Sequence, residues 1–293
     1  MYGSLFYTNM DKKIAHLGSL NGKILVFGGV YSNLQALEAL IDVANKYNIE
    51  SENCICTGDI IGYCAQPEET LQLFRKWGAQ SIAGNVELQL FDDADDCGCD
   101  FTIGSRCDGF SKLWYPYAKE RISKGNITWI GTLPNYITFD YADKKVAVVH
   151  GSVENVSEFI FKSTTDDIKL NTFIKFDADI VLAGHCGLPF SQEINKKKWL
   201  NSGVIGMPAN DGSQRVWYLI IENHGGDIKY THQYLEYDYQ TAFDLMKANN
   251  LPMAYANTLR SGLWDNMEIL PEAEKQLQGV PYTFNNEITE HLN

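Results

Sequence analysis

A surplus of positive charge is missing from this chain: 24 lysines and arginines stand against 37 acidic residues, for a formal charge of −13. A general electrostatic grip on nucleic-acid phosphates or anionic lipid is therefore disfavoured, although local cationic pockets are not excluded. Also missing is any apolar run near the roughly 18 residues that a membrane span requires. The polar start (Asn9, Asp11, Lys12, Lys13) lacks the basic-then-apolar order of a signal peptide, so a soluble cytoplasmic protein is expected. Cysteine is sparse, seven in 293 residues and odd in number. In a reducing compartment such residues are expected to be thiols or metal ligands rather than disulfides, and the sequons at Asn126 and Asn155 carry no meaning there. No internal repeat or low-complexity tract is present. What the chain does have is 45% hydrophobic residues, enough for about two domains or one large one at roughly 150 residues each.

Short apolar runs alternate with helical spacing along the first part. Lys23 to Phe27 reads as a buried parallel strand between Gly22 and Gly28. Leu34, Leu37, Leu40, Ile41 and Val43 recur at helix-face intervals, with Ser32 or Asn33 as cap. Cys54 to Thr57 and Ser81 to Ala83 read as further strands, and Pro67 to Trp77 as a helix with proline in its first turn. This order implies an α/β domain whose loops gather at the carboxyl ends of the strands. Asp92 to Asp108 breaks the rhythm as an acidic, cysteine-bearing loop. Helices around Ser111 to Arg121 and Ile127 to Thr132 follow, then a hairpin of Tyr136 to Asp140 and Val146 to His150. Beyond the strand Asp179 to Ala183 the pattern shifts to a meander (Trp199, Val204, Val216 to Ile221, Ile228 to Gln233). Two short helices, Asp238 to Asn249 and Met253 to Ser261, close it, parted by Pro252 and stopped at Gly262. A two-sheet sandwich with outer helices fits this sequence of elements.

The chemistry sits at the strand ends. Asp59, Asn85, His150 and His185 each follow an apolar run beside a glycine, so four loops present a carboxylate, an amide and two imidazoles toward one region. Such a set suits Mn, Fe or Zn better than Ca or Mg. For any one of them alone, a capping or backbone-bonding loop residue is the commoner role; four in order are harder to explain that way.

The residues that surround these four carry a family resemblance. GDIIGYCAQP (Gly58 to Pro67), GN (Gly84, Asn85), VVHGS (Val148 to Ser152), GH (Gly184, His185) and NSGVIGMPANDG (Asn201 to Gly212) resemble, in order and spacing, blocks of the calcineurin-like metallophosphoesterases, nearer their bacterial phosphodiesterase branch. The resemblance runs from about Lys23 to Ile221. It implies a four-layer αββα sandwich, at least one divalent metal ion, and hydrolysis of a small phosphomonoester or phosphodiester by metal-activated water. The family holds two ions. Here FGGVYSN (Phe27 to Asn33) puts Gly29 and Tyr31 where the first block has Asp and His, GHCG ends in Gly187 in place of a His, and Val86 stands where the third block has a His. The resemblance thus implies that Asp59, Asn85, His150 and His185 keep one ion and serve as the catalytic set, while the neighbouring half-site is degraded.

Losing half of a two-metal site weakens nucleophile generation and charge neutralisation together, and losing an acid costs typically ~10²–10⁴-fold. Replacement ligands are therefore sought in Glu87, Cys64, Cys97, Cys99, Cys107 and Cys186, against the commoner role of a cysteine as a small buried apolar residue. Gly29, Tyr31 and Arg215 are candidate contacts for phosphate or substrate; turn-forming, space-filling and a surface ion pair are their respective alternatives. The expected organisation is an N-terminal segment over 1–20, the metallophosphoesterase-like domain over 21–237 with its insertion at about 92–108, and a helical extension over 238–293 packed on the domain. The expected partner is a small phosphorylated substrate, without nucleic acid or membrane. A rival expectation is a catalytically silent relative that senses or scaffolds through a bound metal or phosphate ligand.

Overall fold

The computed structural model describes residues 12–99 and 101–284. The beginning of the expected N-terminal segment, position 100 of the insertion and the end of the helical extension lie outside the described residues.

Strand β1 (Ile14–Ser19) is followed by β2 (Ile24–Phe27), which is buried throughout. Helix α1 (Leu34–Lys46) begins where the Asn33 side chain accepts the Ala36 N–H, the capping arrangement that satisfies an otherwise unpaired donor. After β3 (Cys54–Cys56), α2 (Pro67–Trp77) opens on proline and ends at Gly78 in the left-handed conformation. Strand β4 (Gln80–Ser81) leads into α3 (Asn85–Phe91). Helices α4 (Arg106–Arg121) and α5 (Lys124–Ile130) are capped by the hydroxyls of Ser105 and Ser123. The hairpin β5 (Tyr136–Tyr141) and β6 (Lys144–Val148) turns at Ala142 and Asp143, both at positive φ as a tight two-residue turn demands. Helix α6 (Asp166–Phe176) and strand β7 (Ile180–Ala183) precede two more hairpins, β8 (Pro189–Ile194) with β9 (Lys197–Ser202) and β10 (Val216–His224) with β11 (Asp227–Leu235). Helices α7 (Tyr239–Ala248), α8 (Met253–Ser261) and α9 (Glu272–Lys275) complete the described elements.

Two sheets stack face to face, one in the order β1-β5-β6-β7-β9-β8 and one in the order β11-β10-β2-β3-β4. Strand alternation sorts their side chains into layers. Ile24, Val26, Ile55, Leu219 and Ile221 meet Ile137, Val148, Ile180 and Leu182 between the sheets. Leu25, Phe27, Cys54 and Cys56 point the other way, against Leu37 and Leu40 of α1 and Leu71 and Phe74 of α2. Ala147, Val181 and Trp199 face outward from the other sheet onto Phe173 of α6 and Leu270. The result is the four-layer αββα sandwich, and the parallel strands β2, β3 and β4, like β6 and β7, end along one edge.

Three elements depart from the sequence reading. Part of the expected N-terminal segment is β1, an edge strand parallel to β5 and half exposed, so its residues carry no buried pattern. Strand β8 begins on Pro189, tolerated because β8 lies at a sheet edge. Helix α6 escaped notice because its buried residues are Lys169, Thr172 and Phe173, not an apolar stripe.

Lys169 is wholly buried, its ammonium donating to the Lys162 and Thr164 carbonyls and to Gln192 Oε1 at 3.1, 2.8 and 2.6 Å. Burial drives its pKa down to about 8, and the three oxygens stand in for lost water. Removing a charged donor strands its acceptors, so Lys169→Met should lower unfolding stability by about 2–3 kcal/mol. A urea midpoint unchanged from wild type would refute that structural role.

Candidate metal centre

Asp59 follows β3 on a turn in which Gly58 (φ 97°) and Asp59 itself (φ 58°) are both left-handed. A side chain at Gly58 would place its Cβ 2.6 Å from His150 Nδ1, and one at Gly84 would collide with the Asp59 carboxylate, so both neighbours of the site must be glycine. Asn85 opens α3 beyond β4. His150 and His185 stand just beyond β6 and β7, their loops joined by a 2.9 Å bond from Gly184 N–H to the His150 carbonyl.

His150 Nδ1 lies 2.7 Å from the Thr57 carbonyl. A carbonyl can only accept, so Nδ1 carries the ring proton and Nε2 keeps a bare lone pair. That Nε2 is 3.0 Å from Asn85 Oδ1, 3.0 Å from His185 Nδ1 and 3.3 Å from Asp59 Oδ2. Asn85 is turned to present its oxygen because its amide nitrogen donates to the Cys97 carbonyl at 2.9 Å and to Cys99 Sγ at 3.3 Å. His185 is stacked on Phe159, ring centroids 4.3 Å apart, and its buried Nε2 has no hydrogen-bond partner among the described residues.

Four electron-pair donors thus face one another in a buried space. Burial presses the His150 ring toward neutrality, yet Asp59, the bond to Thr57 and Glu87 together lift its pKa above the ordinary imidazole value. His185 is pushed down to about 3 by burial and by His150. Asp59 draws positive charge to this point while the His185 ring stays neutral with a free lone pair, a combination that a bound cation can use in place of a proton, and an imidazole whose other nitrogen donates to a backbone carbonyl is the usual form of a histidine ligand. The donor set fits a metal ion. Asp59, His150 and His185 also form the one cluster of three or more histidine, cysteine or acidic side chains of ligating geometry among the described residues.

The other expected residues fall elsewhere. Glu87 is wholly buried, but its carboxylate accepts the backbone N–H groups of Asp59, Gly84 and Ile61 at 2.8, 2.9 and 3.1 Å, which leaves it bracing the ligand loops and not replacing a ligand. Burial and the Asp59 charge raise its pKa to about 7. None of the expected thiols joins the cluster. Cys64 and Cys186 rest against the Gly206 and Leu188 carbonyls, Cys107 faces Asn266, the Cys97 backbone carbonyl and the Cys99 thiol accept from Asn85, and Cys99, Cys107 and Cys186 border the cleft beside the cluster. Arg215 lies over Tyr234 with its guanidinium 3.7 Å from Asp211, outside the cleft that borders the cluster. Tyr31 does border it, beside Asp59, and its ring fills the space that a side chain on Gly29 would occupy. Burial and the Asp59 charge hold its phenol well above the ordinary pKa, so it stays protonated. Thr57 and Phe159 were not foreseen: one acts through a backbone carbonyl and the other through a ring 26 positions from its histidine, and neither leaves a local pattern.

Metal titration separates these roles. His150→Ala should weaken binding of Mn or Zn by more than about a hundredfold, Glu87→Gln by about 10–100-fold, and Cys107→Ser not at all. Full binding by His150→Ala would remove it from the cage.

Comparison with known proteins accords with this geometry. Residues 23–224 match the calcineurin-like phosphoesterase superfamily domain. The chain is 28% identical over 247 residues to the uncharacterized protein MJ0912 of Methanocaldococcus jannaschii, covering 78% of this chain and 93% of that one. Among solved structures it is similar to the hypothetical protein PH1004 of Pyrococcus horikoshii, at TM-score 0.69 and 18% identity, over 83% of this chain and 99% of the other. It is also similar to a metallophosphoesterase from Sphaerobacter thermophilus, at TM-score 0.64 and 22% identity, over 83% and 100% of the two chains. With two stacked sheets, the ordered ligand loops and a domain match spanning most of its length, the chain belongs to the calcineurin-like phosphoesterase superfamily.

Proposed function

We propose that the chain is a metal-dependent phosphoesterase that hydrolyses a small phosphomonoester or phosphodiester. The observation that carries this reading is the convergence of Asp59, Asn85, His150 and His185 on one buried point at the wall of an open cleft. A divalent ion held by these four, Mn, Fe or Zn by the character of the donors, would supply Lewis acidity toward water and a phosphoryl oxygen.

The chain's own groups do the rest. His150 keeps its lone pair turned inward through the bond to Thr57, and Glu87 holds the Asp59 and Gly84 loops in register. Tyr31, protonated and on the cleft wall, can donate a hydrogen bond to a phosphoryl oxygen. Val86 supplies no proton to a leaving group, which favours esters whose leaving group departs as a stable anion. The net charge of −13 argues against a nucleic-acid substrate and leaves a small phosphorylated molecule as the proposed one.

A second reading, a catalytically silent relative that binds metal or phosphate as a sensor or scaffold, is favoured by the half-site that Gly29, Tyr31 and Gly187 no longer furnish. Turnover of an aryl phosphate diester under Mn, Fe, Zn or Ni distinguishes the two. The hydrolase should turn over only with metal, and His150→Ala should lose at least about a hundredfold. Undiminished activity in that variant would sink the site assignment, and metal binding without turnover would establish the silent reading.

A further inference from the structure

Asp59 and His185 border a cleft, and no lysine or arginine among the described residues lines it. Five half-buried rings do: Tyr63, Phe101, Phe159, Tyr255 and Trp264. They come largely from outside the ligand loops. Phe101 belongs to the cysteine-bearing loop, Tyr255 to α8 and Trp264 to the segment after it.

These rings stand beside the vacated half of the site. Trp264 is anchored at both ends, its indole N–H donating to the Pro208 carbonyl and its backbone N–H to Asn210 Oδ1, each at 2.8 Å. A Cβ on Gly187 would lie 3.4 and 3.5 Å from its ring atoms. The position that has lost its expected histidine therefore looks onto an indole, as Gly29 looks onto Tyr31. Aromatic side chains cover that ground and leave a ring-lined groove leading away from the cage.

We propose that this cleft receives the organic group of the phosphoester, and that this group is a flat, uncharged ring of aryl or nucleobase type. The inference rests on the phosphoesterase reading of the cage and adds the substrate class. Beyond the cage a polyphosphorylated group would meet no lysine or arginine among the described residues, and its lost hydration would go unreturned. A flat ring meets aromatic faces and loses only apolar hydration. The group enters with its phosphoryl end at Asp59 and His185, because those two residues belong to cleft and cage alike.

Titration calorimetry of the Mn-loaded protein with benzylphosphonate and ethylphosphonate tests the cleft without turnover. Benzylphosphonate should bind roughly tenfold tighter, and Phe101→Ala or Trp264→Leu should each remove most of that advantage while sparing ethylphosphonate. Trp264→Phe, which keeps a ring, should restore part of it, and wild-type Mn content in each variant shows that the cage is intact. Equal affinity for the two phosphonates in wild type, or an advantage indifferent to both losses of a ring, would overturn the proposal. Adenosine 5′-monophosphate distinguishes the two ring types: a gain over ethylphosphonate comparable to that of benzylphosphonate marks a nucleobase, and a gain confined to benzylphosphonate marks a simple aryl group. Kinetics on benzyl and ethyl phosphate, whose alcohols leave with similar difficulty, keep the two readings apart. Ring preference in binding, with no turnover of these esters or of the aryl phosphate diester, leaves the cleft and removes the hydrolase. Turnover of both at equal kcat/KM leaves the hydrolase and removes the cleft.

Discussion

Three donor atoms gathered 3.0 to 3.3 Å from His150 Nε2, buried at the wall of the cleft, are the constraint on which the rest of this molecule turns. Such an arrangement repels itself unless a cation sits among its members. The protein commits much of its loop structure to holding it. One carbonyl, that of Thr57, fixes the tautomer of His150; one amide, that of Asn85, is oriented by Cys97 and Cys99. Glu87, wholly buried, ties three backbone N–H groups from two different loops. Left-handed backbone at Asp59 and His185 adds local strain that the surrounding bonds must outweigh.

Beside the cluster, aromatic packing occupies the positions next to Gly29 and Gly187. Tyr31 lies where a side chain on Gly29 would be, and Trp264 closes over Gly187. The two changes are coherent: glycine in place of a ligand opens volume, and a ring fills it at the density expected of a protein interior. A wall of aromatic faces beside a single cage is a different instrument from a pair of adjacent ions.

Much of this was legible before the fold was known, because it depends on short-range signals. Pro67 and Trp77 bound α2 as their types suggest, and Met253 to Ser261 ends on Gly262 at positive φ. The four ligand positions declared themselves through strand ends flanked by glycine, whose absent Cβ is now seen to clear the Asp59 and His150 side chains. Less legible were features that need partners far away in the chain. The burial of Lys169 depends on Gln192 in β8, and the half-exposed β1 is recognised only through its pairing with β5. Glu87 and the thiols are spare ligands by their chemistry, and only the folded chain shows that Glu87 accepts backbone N–H groups and that none of the thiols lies in the cluster of Asp59, His150 and His185.

Sequence by itself determined the donor types, their order and the α/β alternation, since each is written in residue identity and spacing along a strand or turn. Tertiary structure decided which donors meet, which merely brace the ones that do, and what took over the abandoned ground. The physical reason is that coordination and stacking act over a few ångströms in space, whereas Asp59 and His185, or Gly187 and Trp264, are separated by many tens of residues and become neighbours only when the sheets pack.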